Sequence, residues 1–464
     1  MSARIVALKV LDQWDEERRS FMEKLVKEAL VDSDLSGRDR GLVFELCYGV
    51  VRHRNTLRAV AQHFSKHPLG RADRSVRQAL AMGLYQLIYL ETPDHAVVDS
   101  TIEAYREAFG HEVPDVILSR RVGFLNAMLR NACGATRQLT DSMEHLDELD
   151  TVWGEGHWVR VEGMRLASRK ENLSQMLAVK YSHPHDVVRL WLERHDESEL
   201  IPVMCFNNQS PKTYLIMKQQ DRRPEQLRRL FDLRNIEYED TDQEHILVLK
   251  SAAGIDKLPG FSDGRFWIQD VTANSLIQML PKREGVKLLD FCAAPGGKLA
   301  TLLDRGGIEK AVACDIRDVK LELIRENMNR LQFSEELVEV REVSSDPERI
   351  RFNYDFDQIT VDAPCSNSGV LNRRHEARWR YVPENLSAHH TLQVRLIKAA
   401  AKCLAPGGDL LYSTCSMEPT ENTDVVYALL RSDSNMRLVE ERQVLPGENG
   451  GDGGYAALLK KRES

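Results

Sequence analysis

The sequence predicts a multidomain protein with an all-α N-terminal domain, a small α+β domain and a C-terminal α/β domain built on a doubly wound parallel sheet. Three observations support this fold class. Apolar residues have helical spacing in the first part of the chain, short helices and strands alternate in the middle, and strand–helix repeats surround a glycine loop in the last part. A chain of 464 residues is long enough for two or three such domains.

The first domain, residues 1–137, is predicted to contain helices only. Leu80, Leu84, Leu87 and Ile88 fall on one face of a helix, and Ser36 is placed to cap another. The domain is rich in cationic side chains, which indicate either a solvated face or an RNA-binding surface, and charge alone favours the solvated face. These residues are Arg38, Arg40, Arg52, His53, Arg54, Arg58, Arg71, Arg74, Arg77, Arg120 and Arg121.

The middle of the chain is less regular. Residues 138–178 are polar and mixed in charge sign, and we interpret them as a linker with some helix. Residues 179–262 alternate helices and strands but are too few for a doubly wound sheet, so they predict a small α+β domain. Its predicted elements are helix Val187–Arg194, strand Thr213–Met217, helix Arg223–Leu233 and strand Ile246–Leu249.

The C-terminal domain, residues 263–464, is organised around Val286–Lys298, VKLLDFCAAPGGK. This stretch predicts a strand, a glycine loop and the start of a helix. Glycines let a backbone approach a ligand closely, and the amides of a helix start favour polar ligand groups. The glycine spacing matches neither the dinucleotide nor the phosphate-loop pattern, which disfavours NAD and ATP. The loop therefore predicts a nucleotide-like cofactor of another kind.

Polar or reactive side chains follow four predicted strands of this domain. They are Asp290, Asp315, Asp362 with Cys365, and Cys415. Because parallel strands place their carboxyl ends at one edge of the sheet, we expect these side chains to lie together. Asp315 is placed where doubly wound folds bind ribose hydroxyl groups.

Two cysteines on turns at one edge, beside a cofactor loop, favour nucleophilic chemistry over a role as buried apolar residues. A thiolate adds to an electron-poor ring carbon such as carbon 6 of cytosine, and this addition makes carbon 5 able to accept a methyl group. An acid such as Asp362 would stabilise the charge that develops on the base. A second group would then assist loss of the carbon 5 proton and expulsion of the thiol.

Three segments, DFCAAPGGK at 290–298, DAPCSNSGV at 362–370 and YSTCS at 412–416, resemble motifs of the RNA 5-methylcytosine methyltransferases that use S-adenosylmethionine. RDRGLVFELCYGVVRHR at 38–54 and GLYQLIYLETPDHAVVDSTIEA at 83–104 resemble the NusB-like RNA-binding domain. That domain precedes the catalytic part in the bacterial small-subunit ribosomal RNA branch, the RsmB or Sun family. The resemblance covers the chain apart from about 138–178 and implies a ferredoxin-like, RNA-contacting subdomain at 179–262.

The resemblance implies a Rossmann-like methyltransferase domain and assigns site residues. Cys415 would be the nucleophile, Cys365 would assist release, and Asp362 and Lys298 would complete the catalytic set. The implied residues for S-adenosylmethionine are Cys292, Ala293, Ala294, Pro295, Gly296, Gly297, Lys298, Asp315, Asp346 and Asp362. Asp346 departs from the family's Gly-Asp pattern, and the 366–369 loop departs from its usual composition.

The expected partner is small-subunit (16S) ribosomal RNA, free or within an assembling particle. The cations and tryptophan of 373–380 predict contacts with phosphates and a stacked base, with a solvated loop as the alternative. This RNA-facing set is Arg373, Arg374, His375, Arg378, Trp379 and Arg380. The formal net charge of −8 argues against general nucleic-acid affinity but allows a local basic groove.

Composition limits the remaining possibilities. The sequence has no apolar run of membrane-spanning length and no signal-peptide pattern, so we expect a cytoplasmic monomer without membrane contact. The eight cysteines form no C-x-x-C pair, which disfavours zinc and disulfides, and no metal site is predicted.

Three alternative functions remain. A transfer RNA methyltransferase of the same class would share every catalytic motif. A non-catalytic RNA-binding factor in ribosome assembly or transcription is disfavoured, because the glycine loop, Asp362 and both cysteines are present. A nicotinamide-dependent oxidoreductase would leave both cysteines without a role.

Overall fold

The structure is a computed structural model that describes residues 2–17, 20–31, 33–90, 92–139, 143–219, 224–250 and 254–463. The chain divides into two compact units. The helical unit comprises Met1–Ser210 and Leu371–Tyr381, and the sheet unit comprises Pro211–Val370 and Val382–Ser464. Within the described residues, no helix combines the length and apolar character needed to cross a membrane.

The helical unit confirms the predicted all-α N-terminal region. Its first seven helices bury their apolar faces in a common core, and Ser36 caps the third helix by accepting a hydrogen bond from the Asp39 amide. The helices are α1 (Ala3–Glu17), α2 (Met22–Val31), α3 (Gly37–Arg52), α4 (Arg54–Phe64), α5 (Arg74–Tyr89), α6 (Asp94–Phe109), α7 (Asp115–Ala132), α8 (Arg169–Lys180), α9 (His185–Leu192) and α10 (Glu197–Asn207).

Within its described residues, the segment 138–178, predicted to be a linker with some helix, contains strands as well as helix. An antiparallel sheet forms from β1 (Thr136–Leu139), β2 (Thr151–Trp153) and β3 (Trp158–Val161), in the order β1-β3-β2. Val152, Val159 and Trp158 are buried, so this small sheet contributes to the packed interior. The same unit also contains α9 and α10, which the sequence placed in the α+β domain.

The small α+β domain is therefore part of the sheet unit that begins at Pro211. Its antiparallel strands follow the order β5-β6-β4-β7, which is the ferredoxin-like arrangement with a short 3-10 turn in place of the second helix. The predicted start of its helix at Arg223 lies outside the described residues. The elements are β4 (Thr213–Met217), α11 (Pro224–Leu233), β5 (Tyr238–Asp240), β6 (Ile246–Leu249) and β7 (Phe266–Ile268).

The large sheet confirms the predicted doubly wound fold. Its order is β10-β9-β8-β11-β12-β14-β13, so the winding direction reverses between β8 and β11. β8 to β12 are parallel, and β14 pairs antiparallel with β12. The elements are α12 (Val271–Ile277), β8 (Val286–Asp290), α13 (Gly297–Arg305), β9 (Ile308–Asp315), α14 (Asp318–Arg330), β10 (Val338–Glu342), β11 (Phe356–Asp362), α15 (Pro383–Lys402), β12 (Leu404–Thr414), α16 (Thr423–Ser432), β13 (Met436–Val444) and β14 (Gly454–Lys461).

The central strands explain where ligands can bind. Leu288, Val312, Ile359 and Leu410 are fully buried, as expected for parallel strands covered on both faces. Ligands can therefore bind outside the carboxyl ends of the strands, between β8 and β11, where the strand order reverses.

Candidate active site

The predicted glycine loop lies between β8 and α13. Gly296 has a φ of +104°, a conformation that favours glycine, and a Cβ atom there would lie 3.0 Å from the Met328 Cε atom. The Ala293 amide donates to the Cys314 carbonyl at 2.9 Å, which fixes the loop against the end of β9. The loop thus holds the α13 N-terminus close to the sheet edge.

Asp290 is the last residue of β8 and directly precedes this loop. The side chain is buried, and burial raises its pKa to about 7 while the Thr360 hydroxyl donates to it at 3.0 Å. Asp290 is therefore a buried carboxyl group at the end of β8 that is hydrogen-bonded to β11.

The side chain of Asp315 is buried at the end of β9. It accepts hydrogen bonds from the Ile316 amide at 2.8 Å and from the Lys320 Nζ atom at 3.0 and 3.1 Å. The carboxylate lies at the strand end that the sequence predicted. Its role in binding ribose stays a prediction.

Sequence reasoning missed Gln269, which follows β7. Its Oε1 atom accepts from the Trp267 indole at 2.9 Å and the Thr301 hydroxyl at 2.7 Å, which fixes the amide orientation. The Nε2 donor is buried without a partner among the described residues. Its Cδ atom would lie 3.9 Å from a Cβ atom on Gly297, so the free donor group lies beside the glycine loop. A polar residue after a strand was the available signal.

Lys298 and Asp362 form an ion pair at the carboxyl edge. The Ser413 hydroxyl donates to the Asp362 Oδ1 atom at 3.0 Å. Burial lowers the pKa of Lys298, but the Asp362 charge and hydrogen bond, with smaller effects from Cys415 and Asp290, produce a net raised pKa. Lys298 is therefore a partly buried ammonium group, with 19% of its side chain exposed, that forms an ion pair with Asp362.

The two predicted cysteines also lie together. Their Sγ atoms are 3.2 Å apart, and the Cys415 Sγ atom is 3.3 Å from the Asn367 Oδ1 atom. The hydrogen bond with Cys415 and burial raise the pKa of Cys365 well above its ordinary value. Cys365 is thus a protonated thiol beside a second sulfur.

A further carboxylate, Glu421, lies behind the cysteines and was not predicted. It occupies a 3-10 turn after β12 and is fully buried. Its oxygens accept from the Ser366 amide at 2.8 Å and from the hydroxyls of Ser366 and Ser416, each at 2.5 Å.

Among the predicted S-adenosylmethionine-binding residues, Asp346 has the weakest sequence evidence for its assignment. Its carboxylate contacts Arg395 at 2.5 Å and Arg349 at 3.3 Å, and it accepts from the Glu348 amide at 3.2 Å. Its role in binding S-adenosylmethionine stays a prediction.

The prediction that 373–380 presents cations and an aromatic ring to RNA is wrong for His375 and Arg378. Both are buried inside the helical unit, with Arg378 only 1% exposed. Arg378 donates to the carbonyls of Ser182 and Asn207 at 2.9 and 2.8 Å, and the Trp379 indole donates to the Val51 carbonyl at 2.8 Å. These side chains stabilise a segment of the helical unit.

The cationic residues of the N-terminal helices divide into two groups. Arg52 and His53 are buried, and another set contacts carboxylates: Arg54, Arg74, Arg77 and Arg121. The exposed remainder has no side-chain partner within the part of the chain that the structure describes. It comprises Arg38, Arg40, Arg58, Arg71 and Arg120.

Comparison with known proteins identifies the family. The family model "16S rRNA methyltransferase RsmB/F" matches residues 277–460, and the NusB family model matches residues 1–133. The ribosomal RNA small subunit methyltransferase B of Vibrio cholerae is 31% identical over 433 residues, which cover 92% of this chain and 90% of that protein. The chain belongs to this family. The same enzyme of Vibrio vulnificus is 30% identical over 473 residues, with both chains covered fully.

Solved structures agree with the fold. The crystal structure of PH0851 has a TM-score of 0.75 at 17% identity, covering 99% of each chain. The crystal structure of NSun6 from Pyrococcus horikoshii with SFG has a TM-score of 0.53 at 18% identity, covering 61% of this chain and 99% of that one. These structures support the fold, and membership of the RsmB family makes the protein an S-adenosylmethionine-dependent ribosomal RNA methyltransferase.

The residues at the sheet edge fit this cofactor. Gly296 and Gly297 have no side chains, so a ligand can approach the backbone at the α13 N-terminus. The buried Gln269 Nε2 donor lies beside these glycines and lacks a partner among the described residues. At the end of the neighbouring strand, Asp315 would supply acceptors for ribose hydroxyl groups. The donors and acceptors thus suit a nucleoside with a charged amino-acid tail.

Proposed function

We propose that this protein methylates carbon 5 of a cytosine in small-subunit ribosomal RNA through a covalent bond between Cys415 and carbon 6. The observation that carries the proposal is the 3.2 Å separation of the Cys365 and Cys415 sulfur atoms at the carboxyl edge of the sheet. The Lys298–Asp362 ion pair at the same edge supplies the charged groups that such a reaction requires.

In the first step the Cys415 thiol loses its proton to solvent and its sulfur forms a bond to carbon 6. The electron pair of the carbon 5–carbon 6 double bond moves into the ring, where negative charge develops towards N3 and the exocyclic oxygen. Asp362 is placed to accept a hydrogen bond from the amino group or from a protonated N3, and Lys298 balances its charge. When bound, S-adenosylmethionine would supply an electrophilic methyl group to carbon 5; the methyl–sulfonium bond would break and S-adenosylhomocysteine would be the leaving group.

Release requires carbon 5 to lose its proton to a water molecule acting as base, so that the electron pair of that C–H bond re-forms the carbon 5–carbon 6 double bond while the bond between carbon 6 and sulfur breaks. The electron pair of that bond returns to the Cys415 sulfur as the ring double bond forms again. Cys365 lies 3.2 Å from this sulfur and is protonated, so its S–H group can donate to the departing thiolate. The two cysteines therefore have different roles in one reaction.

The experiment that tests this function measures methyl transfer by the purified protein from labelled S-adenosylmethionine to unmodified 16S ribosomal RNA, to assembling small subunits and to transfer RNA. Bisulfite sequencing then locates any 5-methylcytosine. Methylation of one cytosine in the small-subunit RNA is the expected result. Preferential methylation of transfer RNA would replace the substrate assignment, and transfer to another atom or none at all would contradict the reaction.

We further propose that the helical unit contacts this RNA through Arg71 and Arg120. Both line a cavity of about 540 Å³ together with His67 and Phe124, which provides cations for phosphates and rings for stacking. The set is confined to the helical unit.

Replacing both Arg71 and Arg120 by glutamate should weaken RNA binding about tenfold or more. The slope of the logarithm of the affinity against the logarithm of the salt concentration should fall by the amount expected for the loss of about two phosphate contacts. The measurement is RNA affinity by filter binding at several salt concentrations. The matched control reverses the charge of two exposed lysines in the same unit by replacing them with glutamate. These are Lys9 and Lys170, which lie outside this cavity. Equal losses in both double variants would contradict the assignment.

A further inference from the structure

Glu421 connects the two loops that carry the cysteines. Its carboxylate accepts from the Ser366 amide and hydroxyl, next to Cys365, and from the Ser416 hydroxyl, next to Cys415. A buried carboxylate is stable only when hydrogen bonds or charges satisfy it, so these contacts constrain the loops strongly.

Other contacts complete this connection. The Gly369 amide donates to the Cys415 carbonyl at 3.0 Å, and the Met417 amide donates to the Ser368 hydroxyl at 2.9 Å. Gln393 of α15 approaches the carboxylate of Glu421 at 3.4 Å. The loops form one hydrogen-bonded assembly, and Glu421 contributes a charged group to it.

The charge of Glu421 also acts on the cysteine pair. It raises the pKa of Cys365, after the larger effects of the Cys415 hydrogen bond, burial and the Cys415 charge. Lys298 carries the opposite charge and interacts with Cys415. The raised pKa of Cys365 favours a proton on its sulfur, which lies 3.2 Å from the Cys415 sulfur.

We propose that Glu421 is a positioning residue for methyl transfer, which holds the Cys365 thiol against Cys415 so that it can donate to the departing sulfur. The inference rests on the proposed covalent mechanism. Glu421 itself does not touch the reacting base in this scheme and acts through Cys365. Its removal should therefore affect release of the RNA more than formation of the bond.

The first test replaces Glu421 with glutamine, which keeps the shape but removes the charge and one acceptor. We expect kcat to fall about 10- to 100-fold, while KM for RNA and the affinity for S-adenosylmethionine stay within about twofold. In addition, RNA covalently bound to this variant should accumulate during turnover, although Cys365 is intact. Glu421→Asp, which restores the charge, should recover part of the activity and reduce this accumulation.

The matched control is Asp409→Asn. Asp409 is another buried carboxylate of the sheet unit, and it pairs with Arg283 at 2.7 Å in the middle of β12, several residues before Thr414 and Cys415. We expect Asp409→Asn to lower the thermal unfolding midpoint without accumulation of bound RNA. This comparison separates loss of stability from loss of positioning.

The outcomes distinguish this inference from the proposed function. If the wild-type protein is active and Cys365→Ala retains RNA covalently, the mechanism stands regardless of Glu421. Glu421→Gln with wild-type kcat, or with losses of cofactor affinity and stability that parallel Asp409→Asn and no accumulated adduct, would overturn the positioning role. If Glu421→Gln fails to fold, the same comparison is made with Ser366→Ala, which removes one donor to the carboxylate.

Discussion

Replacing Cys415 with alanine is expected to lower the methyl-transfer rate by at least about 10⁴-fold, because the bond to carbon 6 then has no sulfur to form it. Binding of S-adenosylmethionine should be unchanged, since the glycine loop is held by β8, β9 and α13 and not by Cys415. The measurements are label transfer to small-subunit RNA and equilibrium binding of the cofactor.

Cys403 provides the matched control for this variant. It is a buried cysteine in the same unit, directly before β12, and its Sγ atom donates to the Ala399 carbonyl. Cys403→Ala should retain activity. Substantial transfer by Cys415→Ala, or an equal loss in both variants, would show that Cys415 is not the nucleophile.

Asp362→Asn should lower kcat about 10²- to 10³-fold, which is the effect of removing one preorganised group that stabilises charge in a transition state. The amide keeps the shape of the side chain, but it leaves the partly buried Lys298 ammonium without its anionic partner and replaces one of the two carboxylate acceptors by a donor. The measurement is kcat at saturating S-adenosylmethionine and RNA.

Asp357→Asn is the control for the same strand. Asp357 lies near the start of β11 and accepts from the Lys287 amide at 2.9 Å, at the end of the strand opposite to Asp362. Its replacement should leave kcat close to the wild-type value. A loss below about tenfold in Asp362→Asn would indicate that the carboxylate does not stabilise the developing charge.

The sheet and its reactive edge were predictable because both follow from local patterns. Short apolar runs such as Leu288–Leu289 must be buried, and their alternation with helices requires parallel pairing. Parallel pairing then brings the residues after β11 and β12 to one edge. The proximity of Cys365 and Cys415, which are 50 positions apart in sequence, follows from that topology.

Glu421 could not be found in this way. It lies in a 3-10 turn that has no periodicity, and neighbouring Glu418 is an equally plausible acid from sequence alone. The position of Glu421 depends on hydroxyl and amide donors from a separate loop, Ser366 among them. Such long-range hydrogen bonding leaves no local signal.

The segment 373–380, which was wrongly predicted to face RNA, shows that the location of a charged side chain is equally hard to predict from local sequence. Arginine near a reactive motif is compatible with binding phosphates and with burial. Arg378 is buried because carbonyl groups from Arg52, Ser182 and Asn207 surround its guanidinium group, and these residues are remote in sequence. Desolvation lowers its pKa to about 9, which reflects the free energy of enclosing that charge.

The most direct test of the central claim uses the Cys365→Ala protein. It is incubated with S-adenosylmethionine and 16S ribosomal RNA and then run on a denaturing gel, with the Cys365→Ala/Cys415→Ala double variant in parallel. The account predicts a band of protein joined to RNA in the single variant and none in the double variant. Two results would contradict the account. In the first, the wild-type protein is active but the single variant forms no band of protein joined to RNA. In the second, that band persists in the double variant, which lacks Cys415.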